Sequence, residues 1–302
     1  MSLSYLEATA RERIQTLLDE DSFEEFLPPA QRVVSPHLGQ LDAPVSFDDG
    51  VVIGRGSLGG KTVFAAAQEG GFMGGAVGEV HGAKLVGLLR RALQERPAAV
   101  LLLLETGGVR LHEANAGLIA VSEVMRAVLD TRAQNIPVIV LVGGSNGCFG
   151  GMGIVARCAN VIIMSEEGRL AMSGPEVIET ANGVEEFDSR DRALVWRTTG
   201  GKHRYLLGDC QQIVADDVDA FRAATEQVVA KLEGGNVALT LAGLEAEQAL
   251  LEQRITRFGE ASDPLQIWTN LGLSPAQAQS LPMLEAHDFV ALADDYRVKG
   301  QA

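Results

Sequence analysis

Two pairs of adjacent glycines, Gly107–Gly108 and Gly150–Gly151, each follow an apolar run of strand length. Glycine lets the backbone adopt positive φ and approach a ligand closely. If each turn leads into a helix, unpaired N–H groups with partial positive charge face outward there. The pattern therefore predicts an oxyanion hole built from backbone amides at Gly107, Gly108, Gly150 and Gly151, without fixing which residue of each pair donates. The alternative is a pair of ordinary tight turns.

A second motif suggests nucleophilic chemistry. Gly143 to Gly147 fits Gly-x-Ser-x-Gly around Ser145, between a predicted strand and a predicted helix, which is the setting of a hydrolase nucleophile. Asp188, Asp191 and His203 follow in the chain order of a catalytic triad. A serine hydrolase that uses Ser145 is therefore a second hypothesis. Against it, Gly150 and Gly151 place Ser145 in a loop rather than on a tight elbow.

The apolar runs at residues 100–104, 137–142 and 161–164 predict buried strands of a parallel sheet, with helices in the connections. Residues 50–56 and 61–68 predict a β-hairpin closed by glycines. For this reason the Gly-x-Gly-x-x-Gly match within the hairpin is interpreted as a turn, since a dinucleotide site needs a following helix.

The two ends of the chain have a different pattern. Residues 5–26 predict one or two amphipathic helices, and the prolines that follow predict an extended linker to about residue 44. Beyond residue 179 the sequence is mostly helical and polar. Its predicted helices cover residues 218–232, 239–255, 265–273 and 283–296.

Composition excludes several classes of protein. Among 302 residues, 25 Lys and Arg oppose 40 Asp and Glu, and the formal charge of −15 argues against a nucleic-acid surface. No apolar run approaches the roughly 20 residues that span a bilayer, and no secretory signal is visible, so we expect a cytoplasmic protein without membrane segments. Three cysteines and five histidines form no zinc-ligand motif, so we expect no metal site.

Three motifs carry a resemblance to a known family. Residues 107–113 (GGVRLHE) resemble the Gly-Gly-Ala-Arg-x-x-Glu motif of the carboxyltransferase subunits of acyl-CoA carboxylases. Residues 72–78 (FMGGAVG) resemble their Phe-Met-Gly-Gly-Ser-x-Gly segment, and residues 174–179 (GPEVIE) their Gly-Pro-x-Val-Ile-Glu segment. The order is consistent over about residues 8 to 230. Within that group, the length, the missing zinc ribbon and residues 196–204 resemble the β subunits of malonate decarboxylases.

The resemblance implies an α/β fold of the crotonase-like ββα superhelix type with helical extensions at both termini. The implied domains are an N-terminal helical extension at residues 1–44, a carboxyltransferase domain at 45–233 and a C-terminal helical tail at 234–302. A homologous γ subunit and an acyl-carrier protein are the implied partners in a hetero-oligomer.

The resemblance also implies that a malonyl thioester, carried on a phosphopantetheine-type arm or on CoA, loses CO2 and leaves an acetyl thioester. No tightly bound cofactor is expected. The glycine amides then stabilise the enolate oxygen, while Phe72, Met73, Gly74 and Gly75 line the channel for the thioester. Arg110 either orients an anionic group of the substrate or braces its helix. The alternative within the family is the β subunit of a biotin-dependent acyl-CoA carboxyltransferase.

Overall fold

The computed structural model describes residues 3–299, and these form a mixed sheet covered by helices. Its strands occur along the sheet in chain order. They are β1 Glu24–Glu25, β2 Val51–Leu58, β3 Lys61–Gln68, β4 Ala99–Leu103, β5 Val138–Val142, β6 Val161–Ser165 and β7 Gln212–Val214. The pairs β1–β2 and β2–β3 are antiparallel, and all pairs from β3 to β7 are parallel. The predicted hairpin and the three predicted parallel strands are therefore confirmed.

Helices connect and cover these strands. They are α1 Ala10–Leu17, α2 Glu79–Glu95, α3 Asn115–Ala133, α4 Gly151–Arg157, α5 Pro175–Asn182, α6 Arg192–Thr199, α7 Gly201–Leu206, α8 Val218–Leu232, α9 Leu241–Phe258, α10 Pro264–Asn270, α11 Pro275–Ser280 and α12 Ala286–Ala293. The prediction for residues 218–232 is met at both ends, and Asp217 caps that helix by accepting from the amide of Asp219.

The core has two layers because successive strand residues point to opposite faces of the sheet. Val100 and Leu102 of β4 pack with α2, α3 and α4, whereas Leu101 and Leu103 pack with α1 and α8. Trp268 and Phe289 of the tail join the first layer. The domain division at residues 44 and 233 stays a prediction, although both extensions contribute to the layers that bury the sheet.

Two short strands were not predicted. Of the one or two helices predicted over residues 5–26, one, α1, forms, and Thr9 and Glu12 make its capping box. Glu24–Glu25 instead pairs with Gly54 and Arg55 at the sheet edge. Strand β7 was not predicted, because three residues are too few to show a periodic pattern.

Candidate functional site

The first glycine corner lies between β4 and α3. The Gly107 amide donates to the carbonyl of Gly74 at 2.8 Å, and the Gly108 amide donates to Thr106 Oγ1 at 3.0 Å. Gly108 has φ of +127°, which a residue with a side chain rarely adopts. These bonds fix the backbone of the corner before any ligand binds.

The second glycine corner lies between β5 and α4. The Phe149 amide donates to the Thr106 carbonyl at 2.9 Å, which links the second corner to the first. The Gly150 amide donates to the Met172 carbonyl at 2.8 Å, and Gly150 has φ of +64°. Helix α4 starts at Gly151, directly after this left-handed residue.

The two corners meet. A Cβ placed on Gly150 would lie only 2.9 Å from the Cα of Gly108 and 3.9 Å from the amide nitrogen of Val109. Real Cβ atoms do not approach backbone atoms as closely as 2.9 Å, so this crossing excludes a side chain at Gly150. Both corners follow the carboxyl ends of adjacent parallel strands, β4 and β5, and the structure places the corners in contact.

Two amides at this crossing have no acceptor. Within residues 3–299, the N–H groups of Val109 and Gly151 donate to no protein atom. Gly151 is the first residue of α4, where an N–H has no partner inside the helix. The prediction left open which residue of each pair donates. The amides of Gly107, Gly108 and Gly150 are engaged within the protein, so Gly151 alone among the four glycines keeps a free amide in residues 3–299. The oxyanion hole itself stays a prediction.

A buried ion pair connects the segments that lead into the two corners. Glu105, the second residue after β4, is 3% exposed and forms a salt bridge with the guanidinium of Arg13 from α1. Its carboxylate also accepts from Ser145 Oγ at 3.1 Å and from the Asn146 amide at 3.1 Å. A Cβ on Gly144 would lie 2.2 Å from a Glu105 carboxylate oxygen, so this loop has to pass close to it. Sequence analysis missed Glu105; a carboxylate just after a buried strand was the available signal.

Arg110 is enclosed by carboxylates. Its side chain has no exposed surface, and its Nη1 donates to Asp49 at 2.9 Å and to Glu113 at 2.8 Å. Burial raises the pKa of Asp49 despite the neighbouring guanidinium. Burial acts in the same direction on Glu113, but hydrogen bonds from Ser35, the Glu79 amide and Arg110 outweigh it and lower the pKa of Glu113. Of the two predicted roles for Arg110, this geometry favours bracing over substrate contact.

The segment at residues 72–75 lies directly against the first corner. Met73, Gly74 and Gly75 have φ of 51°, 64° and 68°, a left-handed run that glycine makes accessible. A Cβ on Gly75 would lie 1.8 Å from the Glu105 carbonyl oxygen, so this position also excludes a side chain. Phe72 and Met73 are half-buried beside the corner. Their role in lining a substrate channel stays a prediction.

The residues of the hydrolase hypothesis do not form a triad. The Ser145 hydroxyl donates to Glu105, while His203 is buried in α7, where its Nδ1 accepts from Trp268 Nε1 at 3.1 Å. Burial also raises the pKa of the Cys148 thiol to about 12, so this cysteine in the glycine loop carries no thiolate at neutral pH.

Within residues 3–299, no group of three or more His, Cys, Asp or Glu side chains is arranged to hold a metal ion. No helix in the same range combines the length and apolar character that a membrane crossing requires.

Comparison with known proteins identifies relatives that share this architecture. Residues 7–236 match the carboxyl transferase domain family. A malonyl-S-ACP:biotin-protein carboxyltransferase from Malonomonas rubra is 42% identical over 306 residues, covering 96% of this chain and 95% of the relative. The 12S subunit of methylmalonyl-CoA carboxyltransferase from Propionibacterium freudenreichii subsp. shermanii is 30% identical over 76% of this chain, which spans 41% of that longer protein.

A solved structure of a related protein shares the fold of this chain. One chain of a Pseudomonas malonate decarboxylase hetero-tetramer, crystallised with malonate, matches this chain with a TM-score of 0.78 and 40% identity. The match covers 86% of this chain and 93% of the other. The crotonase-like carboxyltransferase fold predicted from the motifs is thereby confirmed.

Proposed function

Because this chain belongs to the carboxyl transferase family, we propose that it is the β subunit of a malonate decarboxylase. In this proposal it acts on a malonyl thioester carried by an acyl-carrier protein. The name of the Malonomonas relative specifies a malonyl-S-ACP substrate, and the Pseudomonas structure belongs to a malonate decarboxylase. The thioester is held on a phosphopantetheine-type arm, and free CoA thioesters share the same reacting end.

The reaction breaks the bond between the carboxylate carbon and the α-carbon of the malonyl group. CO2 leaves, and the electron pair of that bond forms an enolate whose charge resides largely on the thioester oxygen. A proton taken up at the α-carbon then gives the acetyl thioester. Hydrogen bonds to the thioester oxygen lower the barrier, because this oxygen carries more negative charge in the transition state than in the bound substrate.

The observation that carries the proposal is the pair of free amides at the crossing of the corners. Val109 and Gly151 approach from two different strand–helix connections, and among residues 3–299 no acceptor satisfies either N–H group. Such donors are preorganised for an oxyanion, and removing one typically costs about 2.7–4 kcal/mol of transition-state stabilisation. Neither amide supplies a proton, so we assign protonation of the α-carbon to the partner subunit.

The surface beside the corners supports a protein partner. Large apolar side chains are exposed on the segments that flank both corners, and contiguous exposed apolar surface is typical of interfaces. They are Leu111, Leu118, Ile119, Ile154, Met172 and Val177. We propose that a homologous γ subunit covers this surface and completes the site. The related Pseudomonas chains assemble as a hetero-tetramer and as a hetero-dimer.

A second candidate function is transfer of the carboxyl group to biotin. The relative from Malonomonas rubra is named a biotin-protein carboxyltransferase, which specifically favours this alternative. Both reactions form the same enolate. They differ in the fate of CO2, which is released in decarboxylation and transferred to biotin in the alternative. Decarboxylation that proceeds at an unchanged rate with excess avidin supports the first function, whereas loss of turnover with avidin supports transfer to biotin.

The amide donor is tested by replacing Gly151 with proline or alanine. Proline is tolerated at the first position of a helix but has no N–H, and alanine keeps the N–H. Either Cβ would lie 2.6 Å from Val121 Cγ1, so the two variants share this contact, and the proline ring differs from alanine at the nitrogen that carries the tested N–H. We expect kcat for malonyl-ACP decarboxylation by the assembled complex to be about 100- to 1,000-fold lower for Gly151→Pro than for Gly151→Ala. Equal rates for the two variants would remove the Gly151 amide from the mechanism.

A cytoplasmic location belongs to the same proposal. Its support is chemical: Cys148, Cys158 and Cys210 are all free thiols, as expected for a reducing compartment.

A further inference from the structure

A cavity of about 510 Å³ lies at the edge of the sheet opposite the glycine corners. It is bounded by the last turns of α3 and α4, by the residues that precede β6, and by α9 and residues 297–299 of the tail. The length of β5, five residues, separates this edge from the corners, which corresponds to about 13 Å. The cavity is therefore distinct from the proposed catalytic site.

The lining of this cavity is cationic in a chain whose net charge is −15. Its charged side chains are Arg132, Arg157, Arg297, Lys299 and a single carboxylate, Glu247. Arg157 pairs with Asp209 at 3.3 Å and approaches Glu247 at 3.5 Å. The one acid in the lining is thus already shared with Arg157.

Arg132 has no acidic partner. Its Nη1 donates to the Cys158 carbonyl at 2.6 Å, and no carboxylate within residues 3–299 lies within salt-bridge distance of it. Burial lowers its pKa, since partial desolvation disfavours the charged form. An anion in the cavity would offset that cost.

The layer behind the lining adds further positive charge. Asp209 alone accepts from Arg157, Arg204 and Arg254. Arg254 Nη2 is buried without an acceptor, and it lies 3.4 Å from a Cβ position on Gly208, which lines the cavity. One carboxylate therefore faces three guanidinium groups. A further carboxylate, Asp294, lies 3.9 Å from Arg297 and 3.8 Å from Lys299. Six cationic side chains thus face the three carboxylates of Glu247, Asp209 and Asp294, which leaves an excess of positive charge around the cavity.

We propose that this cavity binds a small, multiply charged oxyanion, held by Arg132, Arg297 and Lys299. Guanidinium groups bind phosphate and carboxylate oxygens in bidentate geometry, and a cavity of this volume accommodates a ligand larger than a bare inorganic ion. The common chemistry is either a phosphate ester or a dicarboxylate. The proposal is independent of the proposed function, because none of its residues lies at the glycine corners.

Isothermal titration of the full-length chain with pyrophosphate, CoA and malonate, at ionic strength held constant with KCl, tests the site. Arg132→Gln is compared with Arg126→Gln, which lies on the same helix, is exposed, pairs with Glu123 and is absent from the cavity wall. We expect at least one probe to bind, with a Kd about 10-fold or more higher for Arg132→Gln and within twofold of the unmodified chain for Arg126→Gln.

Each outcome separates one possibility. Binding of pyrophosphate or CoA that Arg132→Gln weakens identifies a phosphate site, and binding of malonate that Arg132→Gln weakens identifies a dicarboxylate site. Binding that Arg132→Gln leaves unchanged is assigned to the glycine corners. The proposal is overturned if no probe binds, or if Arg132→Gln binds every probe as tightly as the unmodified chain. Should Arg132→Gln not fold, Lys299→Gln replaces it, since Lys299 is 62% exposed at the rim and its removal disturbs no buried contact.

Discussion

At the carboxyl ends of the parallel strands the groups available to a ligand are backbone amides, whereas at the amino ends they are arginine and lysine side chains. The amides of Val109 and Gly151 are held by two crossing glycine corners, and buried ion pairs support those corners. The cationic cavity has a half-exposed lining whose charges are only partly paired.

The difference between backbone donors and side-chain donors follows from the proposed function of each edge of the sheet. Enolate stabilisation requires donors that do not reorganise during the reaction, and backbone held by buried charge provides them. Recognition of an anion tolerates side-chain movement, because charge rather than fixed position supplies most of the attraction. Substitutions in the buried ion pairs beside the corners should therefore reduce stability and activity together. Substitutions in the cavity lining should change only the affinity for the anion.

The largest effect is expected for Arg110→Met. This change leaves Asp49 and Glu113 buried without their shared guanidinium, which should lower the free energy of unfolding by about 3–5 kcal/mol. Urea denaturation measures the loss, and the exposed Arg126→Met, which loses only surface pairs with Glu123 and Asp130, should cost less than about 1 kcal/mol. A raised KM at unchanged stability would instead assign Arg110 to substrate binding.

Glu105→Gln should have the next largest effect. The side-chain amide of the glutamine keeps an acceptor for Ser145 and Asn146 but leaves the Arg13 guanidinium buried without a counter-charge. We expect the free energy of unfolding to fall by about 3 kcal/mol, because the Arg13 guanidinium loses its counter-charge. We expect kcat to fall with it, because a neutral amide oxygen holds residues 143–147 with weaker hydrogen bonds than a carboxylate does. Glu123→Gln is the matched control at an exposed ion pair. Unchanged kcat in a destabilised Glu105→Gln variant would separate this anchor from the corners.

His203 of α7 should contribute a smaller, pH-dependent effect on stability. Burial lowers its pKa to about 3, while an unfolded histidine titrates near 6.5. The unfolded chain therefore binds more protons between these values, and stability falls as the pH drops through that window. His203→Gln keeps an acceptor for Trp268 and should reduce the acid slope by about 1.4 kcal/mol per pH unit between pH 5.5 and 4.

Urea denaturation at several pH values measures this slope. His287 is 94% exposed, so His287→Gln should leave the slope unchanged. An identical slope for His203→Gln and the unmodified chain would contradict the neutral, buried state of His203.

Ser145→Ala should have the smallest effect. It removes one hydrogen bond to Glu105, a loss of about 1 kcal/mol, and leaves both free amides in place. Decarboxylation should stay within twofold of the unmodified rate, and a fluorophosphonate should not label the unmodified chain. Labelling at Ser145 together with lost activity would restore the hydrolase hypothesis.

The main elements were predictable because their signals are local. Continuous apolar runs specify buried parallel strands, and spacings of three and four residues specify the helices that cover them. The short strands β1 and β7 were not predictable, since both depend on pairing with a strand from elsewhere in the chain. Local spacing also does not fix burial: Leu118 continues the apolar pattern of its helix, yet it is 57% exposed.

The sequence by itself determined the glycine corners, the strands before them and the family motifs, because each is a property of neighbouring residues. Only the tertiary structure decided which amides stay free. Gly107, Gly108 and Gly150 donate to Gly74, Thr106 and Met172, and those acceptors come from elsewhere in the fold or from the turn itself. Whether an N–H group reaches a ligand depends on every acceptor around it, and neighbours along the chain do not specify that environment.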